Sequence, residues 1–176
     1  MTNNDKNNMK TNKYLQLGLF IGCIALLAGC SDPVKSRMGG YSYQIAKQEV
    51  TIDDTVSIVL IGEMGALQME QIQEDSILLT FNSLKGDVYT TTGKIDNDDI
   101  VLQPFERTLS VTYTVTQQDL LRPVDKTLNE TYNIRVSGSA EMHDETIHFM
   151  LQYNGAGVSN DKQLVGEDIL MVAKKN

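Results

Sequence analysis

From Tyr41 onward, apolar and polar residues alternate with a period of two. The clearest run is Leu109, Val111, Tyr113 and Val115, set between Thr108, Ser110, Thr112, Thr114 and Thr116. Successive side chains of a strand point to opposite faces, so this alternation predicts a strand with one buried and one wet face. Tyr132, Ile134 and Val136 alternate with Thr131, Asn133, Arg135 and Ser137 in the same way, as do Ile147, Phe149, Leu151 and Tyr153 with His148, Met150 and Gln152. Further strands are predicted over residues 41–51, 55–61, 66–72, 76–81, 88–95, 99–102 and 168–173. No window of twelve or more residues keeps a helical stripe. The chain reads as all-β.

A weak internal repeat marks the turns. Residues 72–77, 95–100 and 142–147 each place apolar residues five apart around an acidic four-residue loop, and 50–56 is a shorter version. Each unit predicts a hairpin, and hairpins in succession predict an antiparallel meander. A meander of eight to ten strands hides its apolar face by closing into a barrel or folding into a sandwich. Two stretches lack alternation, residues 117–130 with Pro123 and residues 155–166, and both are expected to be long polar loops.

The first 29 residues follow a different pattern. Lys6, Lys10 and Lys13 precede an apolar run from Leu15 to Leu27, shorter than the ~20 residues that span a bilayer. This is the layout of an export signal. It ends in Leu27-Ala28-Gly29-Cys30, which resembles the lipobox of bacterial lipoproteins. That resemblance implies cleavage before Cys30, a diacylglycerol on its thiol and, usually, an acylated amine. Two or three acyl chains hold a protein to a membrane durably where one does not. The expected organisation is a signal over 1–29, a lipidated tether over 30–39 and one β-barrel-like domain over 40–176. Ser31 after the cysteine points to the outer membrane, on its periplasmic face.

Processing changes the composition. The discarded segment holds three lysines and Asp5, so the net charge moves from −8 to −10 in the remaining 147 residues. Such a charge repels nucleic acid and leaves the acyl chains as the membrane contact. Cys23 is discarded and Cys30 is consumed by lipid, so no disulfide is expected and stability must come from the core.

Gly40-Tyr41, the stretch Phe81-Asn82-Ser83-Leu84-Lys85-Gly86-Asp87, and Val136-Ser137-Gly138-Ser139-Ala140 before the hairpin ending at Tyr153 resemble the calycin-like or lipocalin-like lipoproteins of Bacteroidetes. The resemblance implies a β-barrel with affinity for a small apolar or amphipathic ligand, and it brings no catalytic residues. The Gly-x-Trp signature of classical lipocalins is absent, because the chain has no tryptophan.

Candidate chemistry is sparse. His143 and His148 fall on a turn and on a polar strand face, short of the three or four ligands a zinc site needs. No Gly-x-Ser-x-Gly elbow and no Cys–His pair is present after processing. The Asp96-Asn97-Asp98 run lacks the calcium-loop spacing. No catalytic, metal or cofactor residue is therefore assigned. Asp54-Thr55-Val56 and Asp75-Ser76-Ile77 resemble an O-glycosylation acceptor of exported proteins, although Asp-Thr and Asp-Ser also suit turns. Tyr41, Tyr43, Tyr89, Tyr113, Tyr132 and Tyr153 either cap the core at its wet edge or line an amphipathic cavity. The expected function is a non-enzymatic binding module of the cell envelope. The alternative is an accessory lipoprotein docking onto an envelope complex.

Overall fold

A computed structural model describes residues 33–60, 62–118 and 122–176, so the export segment and Leu27-Ala28-Gly29-Cys30 lie outside the described residues. The chain divides into two units, Met1–Arg37 and Met38–Asn176. The described part of the first is one short helix, α1 (Pro33–Arg37).

The second unit is all β. Its strands are β1 (Gly39–Lys47), β2 (Glu49–Ile52), β3 (Val56–Val59), β4 (Met64–Gln73), β5 (Ser76–Ser83), β6 (Val88–Asp96), β7 (Asp99–Leu102), β8 (Phe105–Gln118), β9 (Pro123–Met142), β10 (Thr146–Gly157) and β11 (Gln163–Lys175). Pairing runs β1-β4-β5-β6-β7-β9-β10-β11, and β1 pairs back onto β11 with Tyr41 opposite Lys175. That last pairing closes an eight-stranded antiparallel barrel and removes two free edges. β2 and β3 form a hairpin attached to β11, while β8 continues past β7 along the same side of β9.

The alternating residues enter the barrel as the pattern predicts. Phe81, Phe149, Tyr132, Tyr153, Leu67, Met69 and Leu79 are fully buried, and Phe81 packs edge-on against both Tyr43 and Phe149. Each such apolar side chain contributes roughly 1.5–3 kcal/mol relative to exposure. The interior is thus filled by side chains. Apolar residues face in and polar ones out, the reverse of a membrane-spanning barrel.

The acidic turns are tight. Gln73 pairs with Ser76, Asp96 with Asp99 and Met142 with Ile147. All three lie at the end of the barrel where the domain starts and finishes, with the Asn176 amide donating to the Gly40 carbonyl at 3.1 Å. The β2–β3 turn holds Asp53 and Asp54 at φ 49° and 55°, and the Thr55 amide donates to Ile52 O. Two left-handed residues in sequence form a type I′ turn, whose twist suits a hairpin.

Two expected loops are largely strand instead, although residues 158–162 stay a loop between β10 and β11. Most of 117–130 belongs to β8 and β9, which run in register from Phe105–Val136 to Gln118–Pro123 and make an arm reaching beyond the barrel. Residues 155–157 extend β10, and β11 begins at Gln163. Cross-strand pairing overrides the missing alternation, because the arm's outer part is exposed on both faces and needs no apolar set.

Candidate functional site

The end of the barrel opposite the termini gathers the charged chemistry. Glu63 lies between β3 and β4 and is 4% exposed. Its Oε1 accepts hydrogen bonds from Tyr43 Oη at 2.8 Å and Tyr89 Oη at 3.1 Å. Arg107 Nη2 donates to Oε2 at 2.5 Å and Nη1 to Oε1 at 3.4 Å, a bidentate pairing. The guanidinium also sits 4.6 Å over the Tyr89 ring, which stacks between Phe81 and Phe105. Tyr43 reaches this position across Gly65, where a Cβ would run into the Asn82 carbonyl and come within 2.8 Å of the Tyr43 ring.

Burial pushes the Glu63 carboxyl up, but Arg107 and the two tyrosines outweigh it and hold the group below the usual carboxylate range. Burial raises Tyr43 and Tyr89, and the Glu63 charge raises them further. All three phenol and carboxyl groups therefore keep their ordinary neutral-pH forms. Beside them, burial pushes the Tyr153 hydroxyl up to about 12. That hydroxyl is enclosed and meets no hydrogen-bond partner among the described residues, although the Gln48 side chain lies close enough to act on it.

Two depressions are lined by residues of this region, and Glu63 lines the smaller. A cleft of about 190 Å³ has Gln48 and Glu63 in its lining, with Leu60 and Leu109 as apolar wall and Lys85 at the β5–β6 turn. A groove of about 480 Å³ lies on the outer wall and is lined by Tyr43, Met64, Gly65, Leu84 and Val172 among others. The two share sequence neighbours: Glu63 and Lys85 belong to the cleft, Met64 and Leu84 to the groove. Val59, Leu84 and Val88 are 75%, 77% and 65% exposed at this end.

A second cluster repeats the same chemistry at the base of the arm. Tyr113 Oη and Tyr132 Oη each donate to Glu130 Oε2 at 2.7 Å. Lys162 Nζ donates to Glu130 Oε1 and to Tyr113 Oη, both at 2.7 Å. Partial burial opposes ionisation of Glu130, but Lys162 and the two tyrosines hold it down to about 2. The Glu130 and Tyr113 hydrogen bonds raise Lys162 to about 12. This cluster ties the loop between β10 and β11 to the arm.

The other residues singled out in the sequence do not converge here. Cys30 lies outside the described residues. Thr55 is exposed on the β2–β3 turn, whereas Ser76 opens β5 and is half-buried, its hydroxyl donating to Asp75 at 3.0 Å. The rings of His143 and His148 pack 4.8 Å apart at the opposite end, and no three His, Cys, Asp or Glu side chains group for a metal among the described residues. Tyr41, Tyr43, Tyr113, Tyr132 and Tyr153 are in the core. Glu63 and Arg107 were invisible to sequence reasoning. Nothing local separates a Glu between Gly62 and Met64 from a solvated loop acid, and the pair is 44 residues apart.

No protein-family model matches the chain, and no curated protein sequence matches it. Among solved structures it is similar to a redesigned β-barrel, at 9% identity and a TM-score of 0.35 over 81% of this chain and 93% of that one. It is also similar to EF1p2_mFAP2b bound to DFHBI, at 8% identity and a TM-score of 0.38 over 81% and 96% of the two chains.

Proposed function

We propose that the protein is a cell-envelope lipoprotein, anchored through Cys30, whose barrel is a non-enzymatic binding module for a small amphipathic ligand. One observation carries the reading: a largely apolar groove and a more polar cleft are lined by residues adjacent in the chain, Met64 beside Glu63 and Leu84 beside Lys85. The groove falls within the size range of small-molecule sites and the cleft below it. A ligand's apolar part fits the groove beside Met64 and Leu84, and its polar head fits the cleft over Glu63 and Gln48. The filled interior argues for a seat on the rim rather than inside the barrel. Glu63 has its oxygens taken by Arg107, Tyr43 and Tyr89, which suits a fixed dipolar floor better than a proton-transfer group.

The exposed Val59, Leu84 and Val88 favour a second reading, in which this end docks onto an envelope protein. Native mass spectrometry on the domain Ser31–Asn176, produced without lipid or detergent, separates the two. A mass released on denaturation, and lost in a Leu84→Asp variant, supports the ligand. A clean apo mass that gains nothing from added fatty acids, sterols or lysolipids rejects it and leaves the docking subunit.

A further inference from the structure

Beneath the rim cleft lies an unmet demand. Tyr153 Oη is enclosed and meets no hydrogen-bond partner among the described residues, yet a buried hydroxyl ordinarily gives its proton to an acceptor. Three side chains act on it: Arg107, Glu63 and Gln48. Arg107 has donors only. The Glu63 oxygens already receive Tyr43, Tyr89 and both Arg107 nitrogens. The acceptor that remains is the side-chain oxygen of Gln48. An amide turned to take that proton points its NH2 group away from Tyr153. Gln48 is 3% exposed and lines the cleft, so the cleft is where those N–H donors find an acceptor.

The rest of the lining agrees. Lys85 makes no ion pair among the described residues, and Ser110 and Thr112 add hydroxyls. The one acid in the lining, Glu63, is cancelled by Arg107. The chain's negative charge is concentrated elsewhere: the acidic turns of residues 72–77, 95–100 and 142–147 stand at the opposite end of the barrel. An anion is repelled from that end and meets a cation with neutral donors at the rim. We infer that the rim cleft takes an anionic head, a carboxylate or a phosphate monoester, whose oxygens accept from Gln48 Nε2 and Lys85 Nζ. This rests on the reading of the rim as an amphiphile's seat and adds the sign of the head. A head made of acceptors satisfies both groups, whereas an ammonium offers them no acceptor and faces the Lys85 charge. About 190 Å³ has room for such a head and little more, which leaves the tail to the groove beside Met64 and Leu84.

Photolabelling tests it on the full chain held in phosphatidylcholine nanodiscs. Four probes share one diazirine-bearing alkyl tail and end in a carboxylate, a phosphate, an alcohol or an ammonium. Head-group ratios are compared between variants in the same nanodiscs, so that partitioning into the lipid cancels. The two anionic probes should label the stretches around Met64 and Leu84 about tenfold more than the other two, the ratio that one charge-assisted hydrogen bond supplies. Lys85→Glu, a change at an exposed position, should bring the ammonium probe level with the carboxylate or above it. Gln48→Met keeps the side chain's length and removes its donor. It should cut carboxylate labelling several-fold and leave alcohol labelling unchanged. Equal labelling by all four heads, unmoved by Lys85→Glu, overturns the anionic head and leaves the amphiphile site standing. An ammonium preference in the unsubstituted chain does the same. Labelling that avoids both stretches, or that survives Leu84→Asp, overturns the site and the head together. A stronger carboxylate signal assigns the head to a free fatty acid, and a stronger phosphate signal to a phosphorylated lipid.

Discussion

Two clusters in this barrel are built from the same parts, one glutamate, one cation and two tyrosines, yet they differ in depth. In Glu63–Arg107 the side chains are 5% and 7% exposed. In Glu130–Lys162 they are 15% and 32% exposed. Arg107 offers two parallel donors and a flat face to Tyr89, whereas Lys162 offers one ammonium that water also reaches. The difference shows how one set of groups serves two purposes. Deep in the wall, a charge is tolerated only when its partner fits it bidentately. At the base of the arm, a more flexible cation fastens a loop at little desolvation cost.

Breaking the deep pair has the largest expected effect. Arg107→Leu strands Glu63 without its cation and should lower stability by about 3–5 kcal/mol in urea denaturation. Adding Glu63→Gln, which still accepts from the tyrosines, should recover at least half of that loss. If the double variant is as unstable as the single one, the cost lies in packing rather than in the orphaned charge. Lys162→Met should cost only about 1 kcal/mol, because solvent already screens that pair.

Acid separates the clusters further. Glu130 has a folded pKa of about 2 against an ordinary 4.5, so its stabilising effect is complete above 4.5 and disappears as pH falls through 2. A Glu130→Gln variant should show a shallower fall of melting temperature across that window, and an unchanged slope would remove Glu130 from the account. The smallest effect is that of salt. Going from 0.1 to 1 M NaCl should erase more than half of the Lys162→Met difference and little of the Arg107→Leu difference.

Much of the fold was legible in the chain. The period of two named the strands and their inward faces, and the acidic four-residue loops named three hairpins that the barrel keeps. Both signals are local, carried by the pleat and by turn chemistry. Residues 117–130 were read as loop because the arm's outer half has no buried face, so pairing alone makes them β. The site was less legible still. Glu63, Arg107, Glu130 and Lys162 look like ordinary surface charges until the strands set their neighbours.

By itself, then, the sequence determined the strand content and the side of each strand that turns inward. The tertiary structure alone decided that β1 closes on β11, that Glu63 meets Arg107 and Glu130 meets Lys162, and that β8 pairs with β9 alone among the described residues. The reason is range. Alternation acts over two residues, whereas closure, burial of charge and free edges depend on partners that only long-range registration brings together.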